Sequence, residues 1–503
     1  MANRYLLGID IGTSTSKAVL TDREGNMVAT HSVAHEVSMP RPGHFEHDAD
    51  AVWLGDLVAL CSAIFTHSGV PPESIAAIGV SAIAPAVVVL DGEGSPLRPG
   101  ILYGIDTRAS SECAELSESL TDKDGKSLSF NSQSVVPKLL WLQRHEPEVW
   151  ERTRLVLGAE GYLVYRLTGE ATLDVYDADA YSPLFDTEEI RWKDEYPQLC
   201  SSALLPRLVW STDIVGAVTE EAARLTGLAV GTPVVAGTAD AAAETTSCGL
   251  AAEGDLMLMY GTSSFFILRT NAPSAAGTFW SGHFQEEGTF SVVGGMTISG
   301  GFPAWFAGLV PPEHPLISSS EHYDQLMRRA ENSVPGAHGL VALPYLAGER
   351  SPFFDPFARG GFLGLTLRHN QGDLYRAVLE SIGYGLRHIF EELEKEGHVV
   401  RRVLAVGGGA GNSLLMQLVC DIAGIEQLMP TKFAGAAYGD ALRAGVGIGY
   451  FENLGKASAI IPRSLVVQPD VTHKDVYDRM YGIYRDFYSS TAPLMRRLGD
   501  LDA

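Results

Sequence analysis

Two short loops of identical composition, each lying between two apolar segments, have the residue types of phosphate-binding loops. Glycine tolerates the dihedral angles that turn several backbone N–H groups toward one anion, and threonine or serine adds a hydroxyl donor. The loops are Gly12, Thr13 and Ser14 in the first half of the chain, and Gly261, Thr262 and Ser263 in the second. Their composition and setting predict that both bind phosphate.

Two aspartates lie next to predicted strand ends. Asp10 precedes the first loop by two residues, a position that suits an acid holding Mg²⁺ directly or through water, because Mg²⁺ takes few carboxylates beside phosphate oxygens. Asp240 follows a predicted strand over 233–236 and precedes an alanine-rich helix. It either caps that helix or serves as the general base for an attacking hydroxyl. Lys17 either places a cation near the transferred phosphate or is a solvated strand lysine.

A third glycine cluster indicates a nucleotide corner near the C-terminus. It follows a predicted strand over 402–406 and precedes a predicted amphipathic helix over 412–423, which begins at Asn412. Its residues are Gly407, Gly408 and Gly409, and they let an adenine ring or a ribose approach the backbone closely. The sequence has neither G-x-x-x-x-G-K-[ST] nor a helix-opening G-x-G-x-x-G, which excludes a P-loop enzyme and a Rossmann enzyme.

Strand-like and helix-like segments alternate along the chain, which predicts an α/β fold. Both Gly-Thr-Ser loops are flanked by strands, predicted over 5–11 and near 17–20 for the first, and over 254–260 and 265–268 for the second. A helix is expected to begin after Asp48 or Asp50. Because the strand–loop–strand unit occurs twice, we expect two duplicated domains, over 1–247 and 248–503.

Composition narrows the class of partner. The chain has 503 residues and a formal net charge of −24, which argues against nucleic acid and anionic membranes as partners. The N-terminus reaches Asp10 too early for a signal-peptide core, and the apolar stretch over 75–90 reads as a buried strand and turn. Five widely spaced cysteines suit a reducing cytosol. We therefore expect a cytoplasmic protein with small-molecule ligands.

Several ordered segments resemble the FGGY family of carbohydrate kinases over nearly the whole chain. GIDIGTSTSK (8–17) is similar to the family's first phosphate loop, and PGHFEHDADAVW (42–53) to the segment that follows it. GERSPFFDPFARG (348–360) is typical of the family, and residues from Gly360 to Glu380 fit its C-terminal signature. GGGAGNSLLMQLVCDIAG (407–424), followed by AGAAYGDALRAG (434–445), resembles its adenosine-binding stretch.

The resemblance implies a fold and a set of roles. The fold is two actin-like (ribonuclease H-like) domains of the sugar kinase/actin/chaperone ATPase superfamily, with ATP and sugar meeting in the cleft between them. Asp240 matches the catalytic base, Asp10 the metal-linked acid, and Thr13 and Thr262 the phosphate loops. Gly408 and Asn412 match positions near the nucleotide. A homodimer is expected at the level of the family.

The predicted sugar pocket departs from the family pattern. Where xylulose kinases usually carry a Gln-Met-His type run, this chain has Ile83, Ala84 and Pro85, and loss of those polar groups should change which sugar is accepted. The family's Trp-x-Asp-x-Arg appears with one extra residue, which leaves Tyr103 for sugar stacking and Asp106 as a hydroxyl acceptor. Asp174 keeps the family's aspartate, without its usual Asn and Ser neighbours.

The expected reaction is Mg²⁺·ATP-dependent phosphorylation of a ketopentose such as xylulose, with Asp240 as base. The alternatives within the family are ribulose, gluconate, a deoxy-ketose or a polyol. An actin-like protein that binds sugar or nucleotide without catalysis is the alternative from another class. Retention of Asp10, Thr13, Asp240 and Thr262 argues against it.

Overall fold

The computed structural model describes residues 4–121, 125, 127–274, 277–312, 318–431 and 434–502. They pack as two compact units. Unit 1 holds the described residues within 1–251, 282–290 and 433–461, and unit 2 holds those within 252–281, 291–432 and 462–503. Two segments from late in the chain thus pack with the first half. The division into domains 1–247 and 248–503 stays a prediction, although its boundary is close to the first change of unit.

The strands of the described residues are short, mostly three to eight residues. In chain order they are β1 Tyr5–Ile11, β2 Thr15–Thr21, β3 Met27–Ala34, β4 Ser38–Arg41, β5 His44–His47, β6 Ile75–Ala82, β7 Val88–Leu90, β8 Gly100–Ile101, β9 Leu155–Leu157, β10 Thr172–Asp174, β11 Phe185–Asp186, β12 Arg191–Trp192, β13 Arg207–Val209, β14 Ile214–Ala217, β15 Pro233–Val235, β16 Thr238–Ala239, β17 Asp255–Tyr260, β18 Ser264–Thr270, β19 Trp280–His283, β20 Phe290–Gly294, β21 Val341–Leu343, β22 Gly361–Leu363, β23 Arg402–Val406, β24 Gln427–Pro430 and β25 Arg463–Val467.

The α-helices are α1 Gly55–Ser68, α2 Ser110–Ser119, α3 Val135–His145, α4 Pro147–Arg152, α5 Ala159–Thr168, α6 Val175–Ala178, α7 Glu220–Thr226, α8 Asp240–Cys248, α9 Gly301–Leu309, α10 Ser319–Glu331, α11 Gln371–Lys395, α12 Ser413–Ala423, α13 Ala436–Gly447, α14 Leu454–Ala459 and α15 Lys474–Asp502. A π-helical turn, Ala49–Leu54, precedes α1. Short 3₁₀ turns are Pro72–Ser74, Asp179–Tyr181, Ser202–Leu204, Ala337–Gly339, Gly408–Gly411 and Val471–His473.

The main sheet of unit 1 has the strand order β14-β15-β6-β1-β2-β3, with β16 also paired to β6. β1, β2 and β3 pair antiparallel, whereas β6 runs parallel to β1 and β15 runs parallel to β6. Most of β1 and all of β6 are buried, as expected of strands covered on both faces. Parallel strands bring their carboxyl ends to one edge of the sheet, where Asp10 lies.

The main sheet of unit 2 repeats this arrangement, in the order β19-β20-β18-β17-β23-β24-β25. β17 pairs antiparallel with β18 and parallel with β23, and β24 runs parallel to β23. Within each sheet, the hairpin that contains the Gly-Thr-Ser loop occupies the same place as in the other. The predicted α/β class and the predicted repeat of the strand–loop–strand unit are both confirmed.

Local predictions were accurate to within a few residues. The predicted strands over 5–11 and 402–406 coincide with β1 and β23. Asp48 is the cap of the first helical segment, because its Oδ1 accepts hydrogen bonds from the backbone N–H groups of Asp50 and Ala51. The glycine cluster between β23 and α12 contains the 3₁₀ turn Gly408–Gly411.

One helical stretch, Ala49–Ser68, is long and apolar enough to cross a membrane by length and composition. In unit 1 it packs against the main sheet, and its residues Trp53, Leu57 and Leu60 are fully buried in the core of that unit. We read it as a core helix for this reason. A separate cluster of buried apolar residues surrounds α3, and the core of unit 2 is built around α11.

Candidate functional site

The carboxyl ends of three strands in unit 1 bring polar side chains side by side. Asp10 on β1 is the register partner of Ser81 on β6, and Ser81 is also the register partner of Thr238 on β16. The chain turns after Ala239 into α8, whose first residue is Asp240. Asp10 and Asp240, predicted from separate stretches of sequence, therefore belong to one edge of one sheet.

Asp10 lies in a negatively charged and largely desolvated setting. Its Oδ1 accepts a hydrogen bond of 3.0 Å from the hydroxyl of Ser81. Burial, followed by the charges of Asp240 and Asp440, raises the pKa of Asp10 well above its usual value. A carboxylate in such a position is stabilised by a cation, and this property fits the predicted link to Mg²⁺.

Asp240 has the properties of a general base. Ala239, and not Asp240, occupies the cap position of α8, so the alternative role as helix cap is not the one adopted. One carboxylate oxygen accepts a hydrogen bond of 2.7 Å from the N–H of Ala241, and the side chain is partly accessible. Burial raises the pKa of Asp240 to about 6, which leaves it ionised but basic at neutral pH.

Sequence reasoning missed several charged side chains at the same edge. Asp440 and Arg443 of α13 form a fully buried ion pair of 2.7 Å, and burial raises the pKa of Asp440 to about 7. Glu244 of α8 is partly buried, and burial followed by the charge of Asp240 raises its pKa to about 8. The only sequence signal for Asp440 and Arg443 is a charged i,i+3 pair within an alanine-rich and glycine-rich helix.

α13 covers most of the stretch AGAAYGDALRAG, whose resemblance to an adenosine-binding segment stays a prediction. α13 belongs to unit 1, where it packs on β1, β6 and α8, whereas the Gly407–Asn412 segment belongs to unit 2. Unit 1 brings Asp440 to Ser81, with the Ser81 hydroxyl 2.6 Å from Asp440 Oδ2. The residues of α13 therefore contribute to the acidic edge of unit 1.

The first Gly-Thr-Ser loop is tied down from two sides within unit 1. His35 lies with Nε2 3.2 Å from the carbonyl oxygen of Gly12 and with Nδ1 2.7 Å from Asp56 Oδ2. The hydroxyls of Thr13 and Tyr103 are 2.9 Å apart, which connects the loop to the predicted sugar segment. Ser14 is exposed at the tip. The loop is thus held through its carbonyl and hydroxyl groups.

Lys17 is exposed on β2, in register with Asp10 on β1. Its charge counters the effect of burial on the pKa of Glu244, so it lies within electrostatic range of the acidic edge. This placement is compatible with both of its predicted roles, as a cation near phosphate and as a solvated strand lysine.

The predicted sugar residues differ in how accessible they are. Ile83 is fully buried in the core, whereas Ala84 and Pro85 are partly exposed directly beyond the end of β6. Asp106 is buried, and its carboxylate binds the guanidinium of Arg108 through both oxygens and the N–H of Phe45 at 2.6 Å. These partners occupy Asp106, so its geometry favours holding the loop in place. The Asp-x-Arg spacing was the available sequence signal.

Asp174 lies behind the strand that leads to Asp240. Its carboxylate accepts a hydrogen bond from the hydroxyl of Thr238, and its other oxygen accepts one of 3.0 Å from the N–H of Asp177. Burial raises the pKa values of both carboxyls, and for Asp177 the charge of Asp174 adds to this effect. Asp174 therefore anchors the strand end that carries Asp240.

In unit 2 the second Gly-Thr-Ser loop is exposed and joined to the start of α9. The backbone N–H groups of Gly300 and Gly301 donate to the carbonyl oxygens of Gly261 and Thr262, at 3.0 and 2.9 Å. Gly261 and Thr262 are exposed and Ser263 is partly exposed. The carbonyl groups are therefore satisfied within the protein, and the hydroxyls of the loop remain on the accessible side.

The glycine cluster adjoins this loop through Tyr260. A Cβ added to Gly407 would lie 2.7 Å from the carbonyl oxygen of Tyr260, and Gly407 has a φ of +87°. By contrast, no atom lies within 4 Å of a Cβ built on Gly408. Asn412 caps α12, since its Oδ1 accepts from the N–H of Leu415 at 3.0 Å. Unit 2 thus brings its Gly-Thr-Ser loop and its predicted adenosine corner together.

Residues of the C-terminal signature have structural contacts in unit 2. Asp373 forms a capping box with Asn370 at the start of α11, and Arg376 pairs with Glu380 at 2.8 Å inside the core. These contacts explain why this segment is built from a fixed pattern of residue types. They hold the start of α11 and its packing in the core of unit 2.

The acidic edge can hold a metal ion only with help from other ligands. In the part of the chain that the structure describes, no set of three or more His, Cys, Asp or Glu side chains is arranged to chelate a metal. Mg²⁺ commonly binds one or two carboxylates and completes its octahedron with phosphate oxygens and water. The surroundings of Asp10 therefore fit Mg²⁺ that arrives with a nucleotide.

Comparison with known proteins assigns both halves of the chain to one family description. Residues 5–246 match the N-terminal domain of the FGGY family of carbohydrate kinases, and residues 256–448 match the C-terminal domain of that family.

Among individual proteins, the chain is 30% identical to xylulose kinase from Lactococcus lactis subsp. lactis over 508 residues, with 98% of each chain covered. It is 30% identical to xylulose kinase from Escherichia coli K12 over 500 residues, covering 97% of this chain and 99% of the relative. The crystal structure of xylulose kinase from Rhodospirillum rubrum matches with a TM-score of 0.89 at 30% identity, covering 98% of this chain and 100% of that one.

Proposed function

The chain belongs to the FGGY family of carbohydrate kinases, and on this premise we propose that it transfers the terminal phosphate of ATP to a hydroxyl of a ketopentose, xylulose first among them. The observation that carries the proposal is the placement of Asp240, a partly accessible carboxylate at the strand-end edge beside Asp10. The names of the relatives similar over nearly the full chain support xylulose as the sugar.

Asp240 is the general base in the proposed reaction. Its carboxylate takes the proton of the attacking sugar hydroxyl, and the hydroxyl oxygen forms a bond to the γ-phosphorus of ATP. The bond between that phosphorus and the β–γ bridging oxygen breaks, and ADP leaves. A base with a pKa of about 6 is ionised at neutral pH and still able to hold the proton, because burial has raised its basicity.

Asp10 is the residue that would hold Mg²⁺, either directly or through a metal-bound water. The surplus of buried carboxyl groups around it, Asp240, Asp440 and Glu244, supports a bound cation at this edge. When bound, Mg²⁺ supplies charge neutralisation for the phosphate oxygens. Asp10 itself orients that charge, and the hydrogen bond from Ser81 fixes the rotation of its carboxylate.

The glycine loops bind ATP in this proposal. In unit 1, phosphate would be bound by Gly12, Thr13 and Ser14, with Lys17 supplying positive charge. In unit 2, phosphate would be bound by Gly261, Thr262 and Ser263. Gly407, Gly408 and Gly409 receive the adenosine, and Asn412 holds the helix behind them. The open space beside Gly408 supports the close approach of a flat ring at that position.

Ala84, Pro85 and Tyr103 line the sugar position, with Asp106 holding their loop through Arg108. Ala84 and Pro85 are accessible and apolar, so they contact carbon atoms of the sugar and leave hydroxyl recognition to other groups. Tyr103 stands beside the first phosphate loop, where its ring can pack on a sugar. This pocket leaves ribulose, gluconate, a deoxy-ketose and a polyol as the competing substrates.

We further propose that the enzyme is cytoplasmic and forms a homodimer. All five cysteines are buried, as suits a reducing compartment. Unit 2 exposes three leucines at alternate positions, Leu363, Leu365 and Leu367, which a second copy would cover. Light scattering after gel filtration should give twice the monomer mass, and L365D should reduce it to the monomer mass. A monomeric wild-type protein would contradict the dimer.

The test of the proposed function is ADP release with Mg²⁺·ATP against a panel of ketoses, polyols and sugar acids. We expect xylulose to give a kcat/KM at least tenfold above every other member. A higher value for ribulose, gluconate or a polyol would replace xylulose with that substrate. ADP release that is independent of every sugar would contradict the kinase assignment and favour an actin-like ATPase.

A further inference from the structure

A buried ion pair of α13 lies directly behind the acidic edge of unit 1. Asp440 Oδ1 and Arg443 Nη1 are 2.7 Å apart, and neither residue has solvent exposure. Their helix comes from late in the chain but packs within unit 1. The proposed chemistry assigns these two residues no role. The family resemblance implies only that their segment belongs to the adenosine-binding stretch.

The pair contacts Ser81 of β6, which lies beside Asp10, and Ala236, which lies between β15 and the strand that leads to Asp240. On one side, Asp440 Oδ2 lies 2.6 Å from the hydroxyl of Ser81, and that hydroxyl lies 3.0 Å from Asp10. On the other side, Arg443 Nη2 donates to the carbonyl oxygen of Ala236 at 2.5 Å, at the end of the strand that precedes β16 and Asp240. Arg443 also donates to the carbonyl oxygen of Ser211 at 3.0 Å.

Close backbone contact fixes where α13 lies. A Cβ added to Gly79 of β6 would come within 2.2 Å of the carbonyl oxygen of Asp440, and one on Gly8 of β1 within 1.9 Å of the carbonyl oxygen of Ala437. A Cβ on Gly439 would come within 1.9 Å of the carbonyl oxygen of Ala243 in α8. The helix therefore touches β1, β6 and α8 through bare backbone, which leaves little freedom for Asp440 to move.

Stability alone is a weak reason for keeping such a pair. Removing two charged groups from water costs several kcal/mol each, and a well-packed apolar pair of similar volume is often as stable or more stable, by about 1–4 kcal/mol. What the ion pair supplies, and an apolar pair does not, is a directional hydrogen bond to Ser81 and another to the strand before Asp240. The geometry accordingly points to alignment of the two acids.

We propose that Asp440 and Arg443 are positioning residues, which fix the Ser81 hydroxyl beside Asp10 and hold the chain before Asp240 through the carbonyl group of Ala236. The inference rests on the proposed function for the roles of Asp10 and Asp240. It adds that the last segment of unit 1 to be synthesised completes the alignment of those acids. Small displacements of aligned catalytic groups reduce rates by about 100-fold, which sets the size of the expected effect.

The test compares three variants of similar shape. D440N removes the negative charge that faces Ser81, and S81A removes the hydroxyl that lies between Asp440 and Asp10. E380Q removes a carboxylate from a buried helical Arg–Glu pair in unit 2. E380Q is the matched control, because Arg376–Glu380 is also a buried intrahelical ion pair and belongs to unit 2. Each protein is assayed for sugar-dependent kcat, for thermal stability, and for binding of ADP with Mg²⁺ and with EDTA.

We expect D440N and S81A each to lower kcat by about 10- to 100-fold and to weaken the gain in ADP affinity that Mg²⁺ provides. The kcat of the D440N/S81A double variant should be no lower than that of the more impaired single variant, because both changes break the same chain of contacts. E380Q should lower thermal stability while its kcat and its Mg²⁺-dependent gain in affinity stay within about twofold of the wild type.

Two results would overturn the inference. One is a folded D440N protein with wild-type kcat and an unchanged effect of Mg²⁺ on ADP binding. The other is an equal loss of both properties in E380Q, which would assign the effect to general stability. ADP binding needs no sugar, so this readout tests the alignment even where the panel of sugars contradicts the proposed reaction.

Discussion

Units 1 and 2 contain the same strand–loop–strand module in the same place of the same sheet, yet the two loops have different chemical surroundings. In unit 1 the residue two positions before the loop is Asp10, and the neighbouring strand end brings Asp240 to the same edge. In unit 2 the equivalent of Asp10 is Met259, and the neighbour of the loop is the glycine cluster beside Tyr260. One copy therefore offers acids, and the other offers backbone groups and open space.

In the proposed function, the repeated module supplies the phosphate-binding geometry, while single side chains at the strand ends decide the chemistry. An acidic edge suits proton transfer and a metal ion, whereas a neutral glycine surface suits an aromatic ring and phosphates. The predictions that follow alter one copy and use the other, or a neighbouring position, as its control.

Among the changes within the two strand–loop–strand modules, the largest effect is expected for Asp10. D10N keeps the shape of the side chain and removes the charge that faces the proposed Mg²⁺, so we expect kcat to fall by about 10²–10³-fold at saturating Mg²⁺. M259L changes the equivalent position of unit 2 and should leave kcat within about twofold of the wild type. Equal losses in the two variants would mean that the modules do not differ in chemical role.

The pH dependence of kcat/KM tests the acidity of the same edge. Asp240 must be ionised to accept a proton, and burial raises its pKa from 3.8 to about 6. Below about pH 6 the base becomes protonated, so kcat/KM should fall about tenfold for each further pH unit. Rates should be measured from pH 8 down to pH 4.5, and lower while the protein stays folded. A kcat/KM that begins to fall only near pH 4 would contradict a buried base.

Within unit 2, neighbouring glycines should respond differently to one added methyl group. G407A forces an L-residue to a φ of +87° and brings Cβ within 2.7 Å of the carbonyl oxygen of Tyr260, so we expect a loss of stability of about 1–2 kcal/mol. G408A faces open space, so stability should stay unchanged while the KM for ATP rises. Thermal unfolding and ATP titrations of both variants check this contrast. A G408A variant with the wild-type KM for ATP would contradict adenosine binding at Gly408.

The smallest effect is expected for Tyr103. Y103F removes the hydroxyl that lies 2.9 Å from the hydroxyl of Thr13 and keeps the ring. A neutral hydrogen bond contributes about 0.5–1.5 kcal/mol, so kcat/KM for the sugar should fall about 2- to 10-fold. The variant T13S keeps a hydroxyl at the loop and should lose less. An unchanged kcat/KM in Y103F would mean that the contact between Tyr103 and Thr13 does not contribute to the reaction of the sugar.

The strands and loops of both modules could be predicted from the sequence because their signals are local. An apolar run, a Gly-Thr-Ser turn and a second apolar run specify a hairpin within about fifteen residues. β1 was predicted with its bounds, and β17 starts one residue after its predicted start. The position of Asp10 followed directly from the position of its strand. The same local logic located Asp240 at the end of a strand, although its role as base stays a prediction.

The rest of the acidic edge depends on contacts between distant parts of the chain. Ser81 and Asp440 are 359 residues apart in sequence, and α13 reaches unit 1 only because Gly8 and Gly79 allow close backbone contact. Asp440 and Arg443 lie in a stretch that resembles the family's adenosine-binding segment, and nothing in that stretch predicted their place at the acidic edge of unit 1. For Asp106 the signal was local, because Arg108 two residues later provides the partner that occupies its carboxylate.

The most direct test of the account is sugar-dependent ADP release by D240N beside the wild type, with ATP binding measured on the same preparations. We expect a fall in kcat of about 10²–10⁴-fold with ATP affinity within about threefold of the wild type, because the amide cannot take the hydroxyl proton. Sugar-dependent turnover retained within tenfold by a folded D240N protein would contradict the assignment of Asp240 as the base.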